Sequence, residues 1–292
     1  MSTLTVLAPA KINLTLEVLG KRPDGFHEIR SVMQTIDRCD RLTFQPAANI
    51  ECRSDLAEWA AEQSLVSKAA TLLQTTTGCS QGATITVNKR IPLLSGLGGD
   101  SSDAAATLRG LNRLWDLRLS PEELLKLAPR LGSDVAFFLY GGTALAEGRG
   151  EIITPLPPLP HSWVVLVTPP VPREPGKTRM LYGRLDASHH TDGQITERLV
   201  RELKEDKEFN PSLLFNTFEN VAFDIFPEAG SASRRMTEIG NVKVYLAGSG
   251  PTLYALVKDK AQAWALFQRL KQQGLEPYLT ETLAELAPIK VE

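Results

Sequence analysis

The stretch Pro92-Leu93-Leu94-Ser95-Gly96-Leu97-Gly98-Gly99-Asp100-Ser101-Ser102 joins small, flexible residues to the start of a helical pattern. Glycines let backbone N–H groups approach a ligand, and a helix start adds unpaired donors, so the combination suits phosphate. Ser101 and Ser102 add hydroxyls that can meet a phosphate oxygen or Mg²⁺, and no other metal ligand is assigned. A plain strand-to-helix turn with a serine cap is the simpler alternative. No lysine follows these glycines as a Walker A loop requires, and Ser101 occupies the third glycine of a dinucleotide fingerprint. A second small-residue turn, Gly248-Ser249-Gly250-Pro251-Thr252, reads on its own equally as an ordinary strand-to-strand turn or as a flexible turn facing a ligand.

Lys11 and Asn13 lie two residues apart and therefore on one face of an extended chain, where an ammonium and an amide can act together. Taken alone, Lys11 is a solvated lysine. Asp134 after Gly132 reads as a helix N-cap, and Phe26-His27 reads equally as an aromatic face and imidazole for a ligand or as a core ring beside a surface imidazole. His161, His189 and His190 have no metal-ligand spacing and read as surface residues.

The elements that must position these groups are partly legible. Ile12, Leu14, Leu16 and Val18 alternate with Asn13, Thr15 and Glu17, which predicts a half-buried strand with Lys11 on its polar face. Pro23-Asp24-Gly25 marks a turn. A helix is expected over Ala60–Leu73 ending near Gly78, a strand over Ala83–Val87, and a helix after Gly99. Ser120-Pro121-Glu122-Glu123 is a capping box whose helix should end at Gly132 in a left-handed cap. The apolar run 135–140 follows. Four prolines within Thr154–Pro160 exclude a helix or central strand and mark the domain boundary, giving units 1–158 and 159–292. Beyond it, strands are expected at Trp163–Val167, Val242–Leu246 and Leu253–Val257, a helix at Ala261–Gln272, and a long irregular segment over Pro169–Asp192. The class is α+β.

At 292 residues the chain has room for two domains. Its 32 basic and 34 acidic residues leave a net charge of −2, which argues against general nucleic-acid binding. No apolar run suits a membrane span, the N-terminus lacks the features of a signal peptide, and the three scattered cysteines read as reduced thiols. The expectation is a cytoplasmic protein, either a monomer or a weak homodimer, with neither nucleic acid nor membrane as partner.

Pro9-Ala10-Lys11-Ile12-Asn13-Leu14, the Pro92–Ala105 stretch and Gly248–Thr252 resemble, in order and spacing, the three motifs of the GHMP small-molecule kinases. Arg22-Pro-Asp-Gly-Phe26-His27-Glu28, Leu131-Gly-Ser-Asp134-Val and Phe215–Pro227 are similar to the branch that acts on a cytidyl diphosphate ester of methylerythritol. The resemblance implies a two-domain GHMP kinase fold, with a ribosomal S5 domain 2-like N-terminal domain that binds ATP and a ferredoxin-like C-terminal domain. It implies ATP-dependent phosphorylation of the acceptor's 2-hydroxyl, with Mg²⁺, in the non-mevalonate route to isoprenoid precursors. Asp134 would take the hydroxyl proton with Lys11 beside it, and residues 92–102 would hold ATP phosphates. Asn13, Phe26, His27, Gly248, Ser249 and Gly250 would hold the acceptor, Phe26 and His27 at the cytosine. Phe26 stands where the family more often has Tyr, Ser64 where it usually has Asn near the adenine, and Pro169–Lys177 lacks the family's Ser-Thr word. The alternatives are a homoserine- or mevalonate-type GHMP kinase, or a catalytically silent nucleotide-binding protein.

Overall fold

The computed structural model describes residues 3–171 and 176–291. In the N-terminal half, β1 (Leu4–Asn13), β2 (Thr15–Lys21), β3 (His27–Ala47) and β4 (Ile50–Ser54) precede α1 (Leu65–Thr77) and β5 (Gly82–Asn88). Then come α2 (Gly99–Leu114), α3 (Pro121–Leu127), α4 (Val135–Tyr140), β6 (Thr143–Gly148) and β7 (Ile152–Pro155). β3, rich in β-branched residues, spans the sheet. Its first half pairs β2 and β6, and its second half pairs β1 and β5. The register shifts beside Pro9, which has no N–H to give the ladder.

The C-terminal half carries β8 (Trp163–Val167), α5 (Lys177–Arg184), α6 (Gln194–Lys204), β9 (Phe215–Asn216), α7 (Glu219–Ile225) and α8 (Pro227–Gly240). It continues with β10 (Tyr245–Leu246), β11 (Leu253–Val257), α9 (Lys260–Gln272), β12 (Pro277–Glu281) and β13 (Lys290–Val291). The second sheet runs β10-β11-β8-β12, antiparallel throughout. With helices between β8 and β10 and between β11 and β12, this is the βαββαβ ferredoxin-like arrangement. β8 is apolar on both faces because both are covered. Val164 and Leu166 join a core with Ile12, Leu14 and Ile36, while Val165 and Val167 join Met236, Leu266 and Leu270. A third core lies between the first sheet and α1, α2 and α4, with Phe44, Leu73, Leu108 and Phe137.

Two segments of the second half return to the first sheet. Phe215-Asn216 pairs in parallel with Thr15-Leu16. At the chain end the Leu283 N–H donates to the Thr35 carbonyl at 2.9 Å, and β13 pairs β1. No helix of the described residues is long and apolar enough to cross a membrane.

Several expectations are corrected. The alternating run 12–18 is two strands broken at Leu14, and its polar face is buried, not solvated. α6 covers it: the Thr196 hydroxyl reaches Thr15 Oγ1 at 2.9 Å, and the Thr196 N–H donates to Glu17 at 2.7 Å. α1 starts later than expected because the Ser64 hydroxyl accepts from the Ser67 N–H and closes a short 3₁₀ turn before it. It ends at left-handed Gly78, as the spacing requires. The helix after Ser120 has its capping box, but it tightens into a 3₁₀ turn at Ala128–Arg130. Gly132 therefore caps nothing in the left-handed region, where its φ does not fall. The segment 169–192 contains α5 and a 3₁₀ turn at Ala187–His189, although residues 172–175 lie outside the described residues. Strand pairing at 242–246 is limited to Tyr245-Leu246.

Candidate active site

At the end of β1 the Lys11 backbone N–H donates to the Leu97 carbonyl at 2.9 Å, tying the strand to the glycine-rich loop. Its side chain is buried. Nζ donates to Asn13 Oδ1 at 2.7 Å and lies 3.7 Å from Asp134 Oδ2. Burial pulls the Lys11 ammonium below the ordinary lysine range, and the Asp134 carboxylate opposes that pull. Asp134 sits at the start of α4, yet its side chain caps no N–H, so the carboxylate is left to Lys11 and to the cavity it lines. Asn13 does not line that cavity. Its amide nitrogen donates to Ser31 Oγ at 2.6 Å, so it orients Lys11 where the acceptor hydroxyl had been its expected partner. Gly248 backs onto the pair: a Cβ there would stand 2.8 Å from Lys11 Nζ and 3.0 Å from Asn13 Oδ1.

The loop before α2 forms a hollow of about 170 Å³ lined by Lys89, Pro92, Leu93, Leu94, Ser95, Gly96, Gly98, Gly99, Asp100 and Ser101. Gly98 caps α2 through its backbone alone, leaving the first N–H groups of a 16-residue helix without intrahelical partners. These donors and the positive end of the helix dipole face any anion bound there. Leu97 and Ser102, expected in the cradle, are buried beside it, and Ser102 Oγ has no hydrogen-bond partner among the described residues. A Cβ on Gly96 would stand 2.6 Å from the Ala247 carbonyl oxygen and 2.8 Å from that of Gly250. Only glycine allows the two glycine turns to meet so closely.

The cradle rests on a buried ion cluster. Lys89 Nζ lies 2.6 Å from Asp40 and 2.8 Å from Asp103. Asp40 also accepts the Ile91 N–H at 2.7 Å. Burial lowers the Lys89 ammonium's proton affinity, but Asp103 and Asp40 outweigh it and hold it above the usual lysine value.

From Asp134 a cavity of about 870 Å³ opens toward Phe26, His27, Tyr182 and Phe218. The Pro23–Gly25 turn brings the first two there, with the Phe26 N–H donating to Asp24 Oδ1 at 3.1 Å. The His27 ring is stacked on Tyr182 with centroids 4.7 Å apart. Phe26 is 54% exposed, and the Arg149 guanidinium carbon lies 4.7 Å from its ring centroid. Burial, with His190 and Lys21 nearby, lowers the His27 imidazole below its ordinary range. His190 is half-buried edge-on to His27, 6.4 Å between centroids, so its reading as a surface residue is corrected. His161 is exposed, paired with Glu281. Of the second glycine turn only Ser249 lines the cavity, held to Thr178 Oγ1 at 2.9 Å. Ser64 lines none of these hollows and caps α1.

Sequence reasoning missed Lys177, Tyr182 and Arg149. The first two ride on α5, whose sequence Lys-Thr-Arg-Met-Leu-Tyr-Gly-Arg buries only Lys177 and Leu181 and so carries little apolar period. The spacing of four residues between the buried Lys177 and Leu181 was the available signal.

Residues 64–142 match the model of the GHMP kinases N terminal domain, and residues 195–275 that of the GHMP kinases C terminal. A 4-diphosphocytidyl-2-C-methyl-D-erythritol kinase of Dehalococcoides mccartyi is 47% identical over 97% of this chain and 99% of its own. One of Geobacillus kaustophilus is 41% identical over 92% of this chain and 93% of its own. A crystal structure of 4-(cytidine 5'-diphospho)-2C-methyl-D-erythritol kinase superposes with a TM-score of 0.80 at 32% identity, covering 95% of this chain and 98% of its own.

Proposed function

The chain belongs to the GHMP kinases and, within them, to the 4-diphosphocytidyl-2-C-methyl-D-erythritol kinase family, and from that premise we propose that it transfers the γ-phosphoryl group of ATP to the 2-hydroxyl of 4-diphosphocytidyl-2-C-methyl-D-erythritol. The observation that carries this reading is the Lys11–Asp134 pair, which stands where the anion cradle and the aromatic-ended cavity meet. Asp134 accepts the hydroxyl proton as the oxygen attacks phosphorus. Lys11, 3.7 Å from that carboxylate, offsets charge on the moving phosphoryl group. The rest of the rate comes from holding donor and acceptor in line.

The cradle from Pro92 to Ser101 holds the nucleotide phosphates. At the far end Phe26, His27 and Tyr182 hold the cytosine, the rings by stacking and the neutral imidazole by hydrogen bonding to the base edge. Asn13 and Gly248 act through Lys11, and Ser249 faces the acceptor. The partnerless Ser102 hydroxyl beside the cradle, with the Ser101 hydroxyl in it, fits a Mg²⁺ shared with nucleotide phosphates. Bound there, the ion would neutralise phosphate charge. The domains divide near residue 158, and one chain supplies every site residue named, so a monomer suffices for turnover.

Release of ADP with the cytidyl acceptor, compared with homoserine, mevalonate and no acceptor, tests the reading. ADP release and a new phosphomonoester on the cytidyl compound alone are expected. Turnover confined to another alcohol would overturn the acceptor, and no turnover with any would leave a nucleotide-binding protein.

A further inference from the structure

Lys177 is the first residue of α5, buried in the wall between the acceptor cavity and a smaller hollow of about 270 Å³. Its Nζ donates to the Leu94 carbonyl at 2.6 Å and to the Gly250 carbonyl, so it bridges the phosphate loop and the second glycine turn. These two partners are neutral. Among the described residues no carboxylate lies within ion-pair distance of Lys177, and the charge that acts on it is Lys11, of the same sign. Two buried ammonium groups repel unless an anion lies between them. A lysine has three donors, and with two spent on carbonyls one remains.

We propose that Lys177 is a further phosphate-binding residue of this site, holding the charge of the phosphoryl group in transit where the two glycine turns meet. The inference rests on the kinase reading and adds a group that neither the glycine-rich motifs nor the Lys11–Asp134 pair contains. A clasp alone would need only a neutral donor. A buried cation is the costlier choice, and the arriving phosphate offsets its cost. In keeping with this, burial and then Lys11 lower the Lys177 ammonium to about 8. Among the described residues, the other charged or titratable groups around it are Asp134 behind Lys11, Arg179 and Tyr182 on its own helix, and Glu276 across the smaller hollow.

The test is calorimetric binding of ADP and of the β,γ-imido analogue of ATP, with magnesium present and no acceptor, to wild type, K177M, K177Q and K177R. K177M and K177Q should bind the analogue ~10- to 100-fold more weakly with ADP little changed, and K177R should bind it nearly as wild type does. In wild type the preference for the analogue over ADP should decay as pH rises through about 8, because the free ammonium loses its proton there. K177R, charged throughout, should keep the preference. Wild-type affinity in K177Q would reduce Lys177 to a clasp and overturn the proposal, as would equal losses for ADP and analogue. If thermal melts show that the neutral variants do not fold, the pH series on wild type and K177R decides alone, and identical profiles overturn it. Failure of the acceptor assay with these nucleotide results intact would sink the cytidyl reading and leave Lys177 untouched.

Discussion

Asp134 and Lys11 are ordinary residues made unusual by their neighbours. Asp134 stands at a helix start without capping it, and Lys11 is buried against an amide whose other end is already occupied. Asp134→Asn should cut kcat by ~10²- to 10⁴-fold, the usual worth of a positioned base, with ATP affinity nearly unchanged. Single-turnover kinetics beside nucleotide titration checks this, and retained turnover would remove the base assignment. Gly248→Ala pushes a Cβ to 2.8 Å from Lys11 Nζ in a backbone of positive φ, so the ammonium must move. Displacement on that scale should lower kcat ~10- to 100-fold while the fold, read by circular dichroism, persists. Tyr182→Ala should raise the acceptor KM ~10- to 100-fold with the KM for ATP unaffected, since stacking contributes ~1–3 kcal/mol per base. Because the His27 imidazole titrates below its ordinary range, its ring is neutral at pH 7 and above. Acceptor KM should therefore stay flat from pH 8 down to about 6.5 and rise only below, as the ring gains its proton.

Among the elements, α2 does most to shape the cradle, because its N-terminus is left uncapped by side chains and its first turn closes over a buried ion cluster. Lys89 is shared by Asp40 and Asp103, both nearly fully buried, so the ammonium holds the loop entry to the helix entry. Lys89→Met leaves two carboxylates facing each other without a cation. It should destabilise the protein by about 3–5 kcal/mol in urea unfolding. A loss under 1 kcal/mol would mean that the carboxylates take up protons cheaply and that the cluster does not set the loop. The loop residues were legible from Gly96, Gly98 and Gly99 with the serines. Their foundation was not, because Asp40, Lys89 and Asp103 are distant in sequence and look like surface charges one at a time. α5 was missed for the complementary reason: it packs a single short edge, so its sequence has no amphipathic stripe to read.

For the whole molecule, the C-terminal segment closes back on the N-terminal sheet. Gln34 Nε2 donates to the Leu283 carbonyl at 2.7 Å, Arg109 Nη2 to that of Ala287 at 3.1 Å, and β13 adds an edge to β1. Removing residues 283–292 takes away these bonds, each contributing ~0.5–1.5 kcal/mol. Thermal unfolding should shift down by several degrees, with the acceptor KM little changed because no described residue of the segment lines the cavity. The near-zero net charge also acquires a local meaning. Around the glycine turns of a chain whose total is −2, Lys11 and Lys89 are matched by carboxylates, and Lys177 adds an ammonium whose hydrogen-bond partners are neutral carbonyls.

What the amino-acid order determined by itself is what depends on neighbours along the chain. That covers the glycine-rich turn that opens into a helix, the Asp24-Gly25 turn, the capping box at Ser120, and Lys11 with Asn13 on one face. Short-range sterics and hydrogen bonding specify these, and they leave marks at fixed spacing. Tertiary structure alone decided that the polar face of β1 and β2 is buried under α6, and that Asn13 serves Lys11. It also stacked Tyr182 on His27 and carried Lys177 across 83 positions to the Leu94 carbonyl. Burial and pairing between distant segments are properties of the assembled sheets, and no local pattern records them.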